Sequence, residues 1–290
     1  MTKARIGVIG GSGLYAMSEL TEVEEIRVET PFGDPSDSLT IGTLAGERVA
    51  FLPRHARGHR ILPSDIPVRA NIYALKSIGV EWVIAASAVG SLREEIAPTH
   101  MVIPDQLIDR TKNRPSTFFT TGLVGHVGFA DPFCPTLAVL LAAAAERAGA
   151  TVHRGGTYIC MEGPAFSTRA ESHMYRSWGA SIIGMTGLPE AKLAREAELH
   201  YAMIAQSTDY DCWRESEEAV TAEMVMGTVA RNIDTVRRSL LALIPTIPQQ
   251  GGCGCENVLA AAIQTAPDAI APDAVRQLGI IYQKYAKRSQ

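Results

Sequence analysis

The chain has 290 residues, 46% of them hydrophobic and 20% charged, an ordinary composition for a globular protein large enough to build a substantial core. Its 27 basic and 31 acidic residues give a formal charge of -4, so there is no broad cationic field for DNA or RNA, although one or two arginines with backbone donors suffice for a small anion. No apolar run is long enough for a membrane span, no basic apolar leader precedes the first strand, and five cysteines are an odd number for a secreted disulfide scaffold. A cytoplasmic protein is therefore expected, folded as a single domain over residues 1–290 with a helical extension from about 244.

In chain order, the β-branched apolar stretch 5–9 reads as a buried strand that breaks at Gly10-Gly11-Ser12-Gly13. Residues 49–52 form a second short apolar piece, ending at Pro53, and the polar run 54–59 emerges from it. A helix is predicted around 69–78, stopped by Gly79 and followed by a strand over 82–87. Residues 102–108 are again strand-like, and the alanine-rich 137–148 predicts a helix ending at Gly149. Strands over 157–161, 181–185 and 202–207 alternate with helices starting near Arg169 and Ala191, and Thr168 with Glu171 has capping-box spacing. A long amphipathic helix is predicted over 222–243, and one or two more follow from Val258 after a Gly/Cys interruption. Alternation of nearly continuous apolar strands with helices predicts an α/β protein, its central sheet covered on both sides.

Three stretches carry candidate chemistry. The Gly10 to Gly13 loop can point several amides at an anion, with Ser12 adding a hydroxyl, but it is neither a full dinucleotide fingerprint nor a Walker loop, and a simple turn explains it as well. In the run 54–59, Arg54 matches phosphate geometry and His55 and His59 can line a ligand; a solvated basic loop is the alternative, and no third ligand at a persuasive spacing supports a metal there. Thr208-Asp209-Tyr210-Asp211 follows an apolar strand, where two carboxylates one residue apart can face donor positions of a nitrogen heterocycle or merely shape a turn. Around these, Ser87 to Gly90 permits close backbone approach, and Met161, Phe166 and Met185 suit the wall of a ribose or thioether pocket, or the core. A single Cys253-Gly254-Cys255 pair does not complete a zinc site, which leaves spare thiols or a local disulfide.

Taken together, the motifs resemble the trimeric purine nucleoside phosphorylases, and within them the members that act on 5'-methylthioadenosine. The matching pieces run from Ile9-Gly10-Gly11-Ser12-Gly13-Leu14 and Pro53-Arg54-His55 through Gly90-Ser91-Leu92-Arg93-Glu94-Glu95, Pro132-Phe133-Cys134-Pro135, Glu162-Gly163-Pro164 and Pro189-Glu190 to the 208–213 run, in the family's order. The resemblance implies a central mixed and partly barrel-like β-sheet flanked by helices, and a homotrimer, with a hexamer as the alternative assembly. It assigns Ser12, Arg54, His55, Ser87, the backbone at Ala88, and Thr186 to phosphate. It assigns Phe166 and Met185 to base and ribose, Asp209 and Asp211 to the adenine edge, and His59 and His126 to the far end of the sugar pocket. The two aspartates stand where oxopurine members carry an asparagine-containing stretch, which implies a 6-aminopurine. The Cys-Gly-Cys tail is similar to that of some microbial and archaeal relatives.

The reaction so implied is phosphorolysis, with phosphate approaching the sugar C1' as the bond to adenine stretches. Asp209 would donate to N7 and Asp211 accept from the 6-amino group. Inorganic phosphate is then a co-substrate, and no metal or organic cofactor is required. An adenosine-preferring or broad-specificity phosphorylase, a nucleoside hydrolase and a catalytically silent nucleoside-binding protein are the competing readings.

Overall fold

The computed structural model describes residues 3–11, 13–14, 17–214 and 221–286. At its centre, β1 (Ile6–Gly10) is buried along its whole length and lies parallel to both β4 (Glu47–Pro53) and β5 (Trp82–Ser91). A strand buried on both faces has no polar side to alternate, which is why these segments read as unbroken apolar runs. Beyond β4, the antiparallel strands β2 (Thr21–Ile26) and β3 (Leu39–Leu44) form one edge. On the other side β5 pairs in parallel with β11 (His200–Asp209), a ten-residue strand that is wholly buried.

The last residues of β5 pair antiparallel with β10 (Ile182–Gly184), which leads through β9 (Thr157–Met161) to β7 (Gln106–Arg110). The short β6 (Met101–Ile103) joins β11 to β8 (Val152–Arg154), completing an 11-stranded mixed sheet. Side-chain alternation along β1 sends Ile9 to one core layer and Ile6 and Val8 to the other. The first layer packs under α1 (Val68–Ser77) and α4 (Gly187–Glu196), the second under α2 (Pro135–Arg147) and α5 (Ala222–Leu243), so helices cover both faces as expected. No helix among the described residues is long and apolar enough to cross a membrane.

Two expectations need correction. Residues 102–108 are not one strand: β6 ends at Ile103 and β7 begins at Gln106, because Pro104 has no N–H for a ladder and the Asp105 carboxylate instead accepts from the Gly156 amide at 2.9 Å. The strands β2, β3 and β8 lie outside the strands predicted from the sequence; β2 is almost wholly exposed and so lacks an apolar face to announce it. The predicted start of α3 (Arg169–Ser177) is present, with the Thr168 hydroxyl accepting from the Glu171 amide and the Glu171 carboxylate accepting from the Thr168 amide at 2.8 Å.

After α5 the tail forms a 3₁₀ segment over Cys255–Ala261, then α6 (Pro272–Leu278) and α7 (Gln283–Ala286). A buried carboxylate just past α4, Glu198, clasps it to the body. Its Oε1 accepts from the Leu259 amide at 3.0 Å and from the Tyr285 hydroxyl at 2.5 Å, and its Oε2 pairs with Lys284 Nζ at 3.3 Å. Glu198→Ala removes the acceptor of the buried Leu259 amide and the bonds to Tyr285 and Lys284, and we predict a loss of about 1–3 kcal/mol of unfolding free energy. Denaturant titration measures it; an unchanged midpoint would mean that apolar contacts alone hold the tail.

Candidate functional site

Four parallel strands, β1, β4, β5 and β11, end at the same edge of the sheet, and α4 begins beside them. Carboxyl ends of parallel strands leave a crevice where loops diverge, a recurrent position for ligands in α/β sheets. Arg54, immediately after β4, is buried in this crevice at 3% exposure. Its Nε and Nη2 bind the two oxygens of Glu190 at 2.9 and 3.0 Å, its Nη1 donates to the Ala86 carbonyl at 2.9 Å, and Nη2 also reaches the Ile9 carbonyl at 3.4 Å. One hydrogen of Nη1 is left without a protein acceptor among the described residues. Burial opposes the charge on Arg54, but the adjacent Glu190 outweighs it and holds the guanidinium above its ordinary pKa.

Next to this pair, the Ser87 and Thr186 hydroxyls lie 3.2 Å apart, one from β5 and one from the residue preceding α4. The Tyr158 hydroxyl accepts from the amides of Thr186 and Gly187 at 3.2 and 3.3 Å, fixing the turn into α4, and Ala88 continues β5 opposite Gln206. Hydroxyls, the arginine and strand-end backbone thus lie together, donors of the kind a tetrahedral oxyanion accepts from. Ser12 lies outside the described residues. His55 turns its Nδ1 to the Ile61 carbonyl at 2.8 Å and stacks on His59 with ring centroids 4.3 Å apart.

The carboxylate pair sits at the end of β11. Between Ser207 and Asp209 the pairing with β5 shifts by one residue, a bulge that re-aims the side chains after it. Asp209 thereby faces Gly90, where even a methyl group would stand 3.0 Å from Asp209 Oδ1 and 3.4 Å from Asp211 Cβ; the glycine admits the close approach. Asp209 accepts from the Thr208 hydroxyl at 2.7 Å and from the Asp211 amide at 2.7 Å. Asp211, in the left-handed region at φ 52°, is different: its Oδ2 is buried and receives no hydrogen bond from the described residues. Burial raises its pKa above the ordinary carboxylate value despite the nearby Ser172 and Ser167 hydroxyls and Cys212 amide. A buried acceptor without a donor is the feature a ligand N–H would satisfy.

Met185 directly precedes Thr186, and its sulfur crowds Gly163. Phe166 is 44% exposed on the loop before α3. Arg114 ties this wall together, donating to the Met185, Leu188 and Glu162 carbonyls at 2.7, 3.1 and 2.6 Å. His126 is set apart. It lines a 490 Å³ cavity against Lys192 and Glu196 of α4, and none of the other predicted site residues lines that cavity. Sequence reasoning gave no role to Glu190, Tyr158, Tyr201 or Arg114; a glutamate inside the apolar face of α4 was the available signal, since a buried carboxylate requires partners. Cys253 and Cys255 carry free thiols, so the local-disulfide alternative is not what the structure shows. They gather with Cys134 and His200 at the opposite end of β11 from Asp209, about 30 Å of extended strand away.

The family described as the phosphorylase superfamily matches residues 5–245. An S-methyl-5'-thioadenosine phosphorylase from Gloeobacter violaceus is 55% identical over 288 residues, spanning 98% of this chain and 96% of that protein. One from Geobacter sulfurreducens is 54% identical over 281 residues, spanning 97% and 98%. A crystal structure of methylthioadenosine phosphorylase from an antarctic soil metagenomic library superposes with a TM-score of 0.93 at 47% identity, covering 97% of this chain and 99% of that one. Methylthioadenosine phosphorylase from Schistosoma mansoni in complex with adenine superposes at 0.84 with 36% identity, covering 89% and 97%.

Two outcomes test the electrostatics of the crevice. Removing one member of the buried Arg54–Glu190 pair strands the other charge, so Glu190→Ala is predicted to cost about 3–5 kcal/mol of stability, measured by chemical denaturation. Burial foremost, with Arg54 and His59 adding to it and the Ile61 carbonyl opposing, pushes His55 down to about 4. The unfolded chain takes up a proton at this position near its ordinary pKa of about 6.5, whereas the folded chain does so only near the lowered value. Stability from His55 is thus present above about pH 6.5 and lost as pH falls toward the lowered value. His55→Asn should flatten the stability profile across that window; an unaltered slope would mean that His55 does not titrate differently in the two states.

Proposed function

The chain belongs to the phosphorylase superfamily, and on that premise we propose that it splits the bond between adenine and the sugar of S-methyl-5'-thioadenosine with inorganic phosphate, giving adenine and 5-methylthio-α-D-ribose 1-phosphate. It is a pentosyltransferase of purine and methionine salvage, and phosphate is its co-substrate. The observation that carries the reading is the junction at one sheet edge of an oxyanion cradle and a buried carboxylate whose Oδ2 has no donor among the described residues. Full-length relatives of the same activity support it.

Phosphate rests between the Ser87 and Thr186 hydroxyls, the remaining Nη1 hydrogen of Arg54, the backbone at Ala88 and the Ser12 loop, with His55 at its flank. As the glycosidic bond stretches, positive charge grows on the ribose, and the phosphate dianion below it offsets that charge as it closes on C1'. Electrons left on the purine collect toward N7. In its protonated form Asp209, held by Thr208 and the Asp211 amide, gives its proton to N7 and is left as the carboxylate, while Asp211 Oδ2 accepts from the 6-amino group and fixes the ring. Phe166 and Met185 wall the base and ribose, and His59 meets the 5' substituent. The charge that develops is balanced by phosphate and side chains, so the chemistry calls for no metal or organic cofactor.

The protein is cytoplasmic and works as a homotrimer, a hexamer being the larger alternative, with one phosphorylase domain over 1–290 and a helical extension from about 244. The resemblance assigns His126 with His59 to the 5' end of the nucleoside, although His126 is exposed and lines a separate cavity with Lys192 and Glu196.

A panel of nucleosides assayed with and without phosphate, with both products identified, tests the activity. Adenine release that continues unchanged without phosphate would make the protein a hydrolase, and higher kcat/KM on adenosine would make the methylthio preference wrong. Arg54→Ala should weaken apparent phosphate affinity more than nucleoside affinity. Asp209→Asn should lower kcat on S-methyl-5'-thioadenosine with the fold intact. Asp211→Asn places an amide donor against the 6-amino donor, a buried mismatch of roughly 1–3 kcal/mol, so kcat/KM should fall several-fold to about hundredfold more for aminopurine than for oxopurine nucleosides. Equal losses on both would leave Asp211 as a residue that only shapes the loop.

A further inference from the structure

At the end of β11 remote from the nucleoside, three thiols and an imidazole converge from separate parts of the chain. Cys134 caps the start of α2, His200 opens β11, and Cys253 and Cys255 flank a glycine at the head of the tail. Cys134 Sγ lies 3.5 Å from His200 Nδ1 and 3.4 Å from Cys253 Sγ; Cys253 Sγ lies 3.1 Å from His200 Nδ1 and 3.2 Å from Cys255 Sγ. All four ligand atoms fall within 4.8 Å of one another. We propose that Cys134, His200, Cys253 and Cys255 form a structural zinc site that fastens the C-terminal tail to the sheet.

The dimensions suit the ion. A tetrahedron with Zn–S near 2.3 Å and Zn–N near 2.0–2.1 Å has S···S edges of about 3.8 Å and S···N edges of about 3.5 Å, and the four separations above lie within about 0.6 Å of those edges. Three sulfurs and one nitrogen in a closed, buried arrangement are a structural zinc set rather than a catalytic one, because no position is left for substrate. On binding, each thiol releases its proton to solvent and coordinates as the thiolate.

The surroundings are built for it as well. The His200 ring is stacked on Trp82, with centroids 3.9 Å apart and planes at 14°, which sets the direction of Nδ1. Its Nε2 faces Glu256 Oε2 at 3.7 Å, and that oxygen is buried with no hydrogen-bond partner among the described residues. With Nδ1 on zinc, the ring hydrogen sits on Nε2 and points at this carboxylate, the outer partner that orients metal-bound histidines. Gly251 leaves room for the relay, since a Cβ there would stand 2.5 Å from His200 Nε2 and 3.0 Å from Glu256 Oε2. The Leu137 amide donates to Cys134 Sγ at 3.4 Å and Arg195 Nη1 to Cys255 Sγ at 3.7 Å, so the single net negative charge of a three-thiolate zinc centre meets a cation.

The test uses full-length protein without a histidine tag, purified, dialysed against metal-free buffer and analysed for metal by inductively coupled plasma mass spectrometry. About one zinc per chain is expected, falling to a small fraction in Cys255→Ser, and Glu256→Gln should weaken zinc binding about 10–100-fold in a chelator competition. Alkylation in denaturant plus chelator should modify all five cysteines. Wild-type protein reloaded with cobalt(II) should show the intense visible bands of a tetrahedral thiolate site, a readout that stands if Cys255→Ser fails to fold. Wild-type protein free of zinc and without those bands, zinc content unchanged in a folded Cys255→Ser, or two cysteines resistant to alkylation until reduced would each overturn the proposal. None of these measurements depends on the phosphorolysis assay, so they fail or succeed independently of it.

Discussion

Ten residues of β11 lie against β5 in parallel register from His200 opposite Trp82 to Asp209 opposite Gly90, and every one of them is buried. This pairing links the two ends of the molecule. At its far end one irregular residue turns Asp209 and Asp211 toward the crevice; at its near end His200, stacked on Trp82, faces the thiols of α2 and the tail. A strand enclosed on both faces cannot slip by one residue without driving its polar ends into the core, so register here is strongly specified. Asp209 inherits that precision from backbone hydrogen bonding, and Asp211 follows it in the turn two residues on.

The Arg54–Glu190 pair performs a second task. It joins the end of β4 to α4, with Tyr201 adding a hydroxyl hydrogen bond to Glu190 Oε1 at 2.8 Å, and so locks the crevice wall from three elements at once. A carboxylate pairing with the arginine also limits what that arginine can offer a ligand. Most of its hydrogens are already spent on the protein, which makes the Ser87 and Thr186 hydroxyls more than accessories to an arginine clamp.

Much of the fold is legible in the sequence because the central strands are apolar throughout and the helices between them end at glycines. Edge strands were missed for the opposite reason: β2 has an exposed, charge-rich surface, and β8 is only three residues long. The break at Pro104-Asp105 was written in the proline but masked by apolar residues on both sides. Within the site, Asp209 and Asp211 were visible as carboxylates after an apolar strand, whereas their unequal environments depend on the bulge and on the Ser172 side of the crevice. Glu190 gains meaning only when β4 and α4 meet. The thiol cluster was read as one pair because Cys134 and His200 are distant in sequence and converge on Cys253 and Cys255 only through α2, β11 and the tail.

Glu190 offsets the charge of Arg54, and burial keeps His55 neutral near pH 7, so neither of these side chains adds a net positive charge beside the Ser87 and Thr186 hydroxyls. Mobile ions screen attractions that act across solvent over about 8–10 Å, but barely touch hydrogen bonds made inside a crevice. An anion captured by contact rather than by long-range attraction is recognised after it arrives. At such a site occupancy would follow the concentration of the correctly shaped oxyanion, little disturbed by changes in background ionic strength.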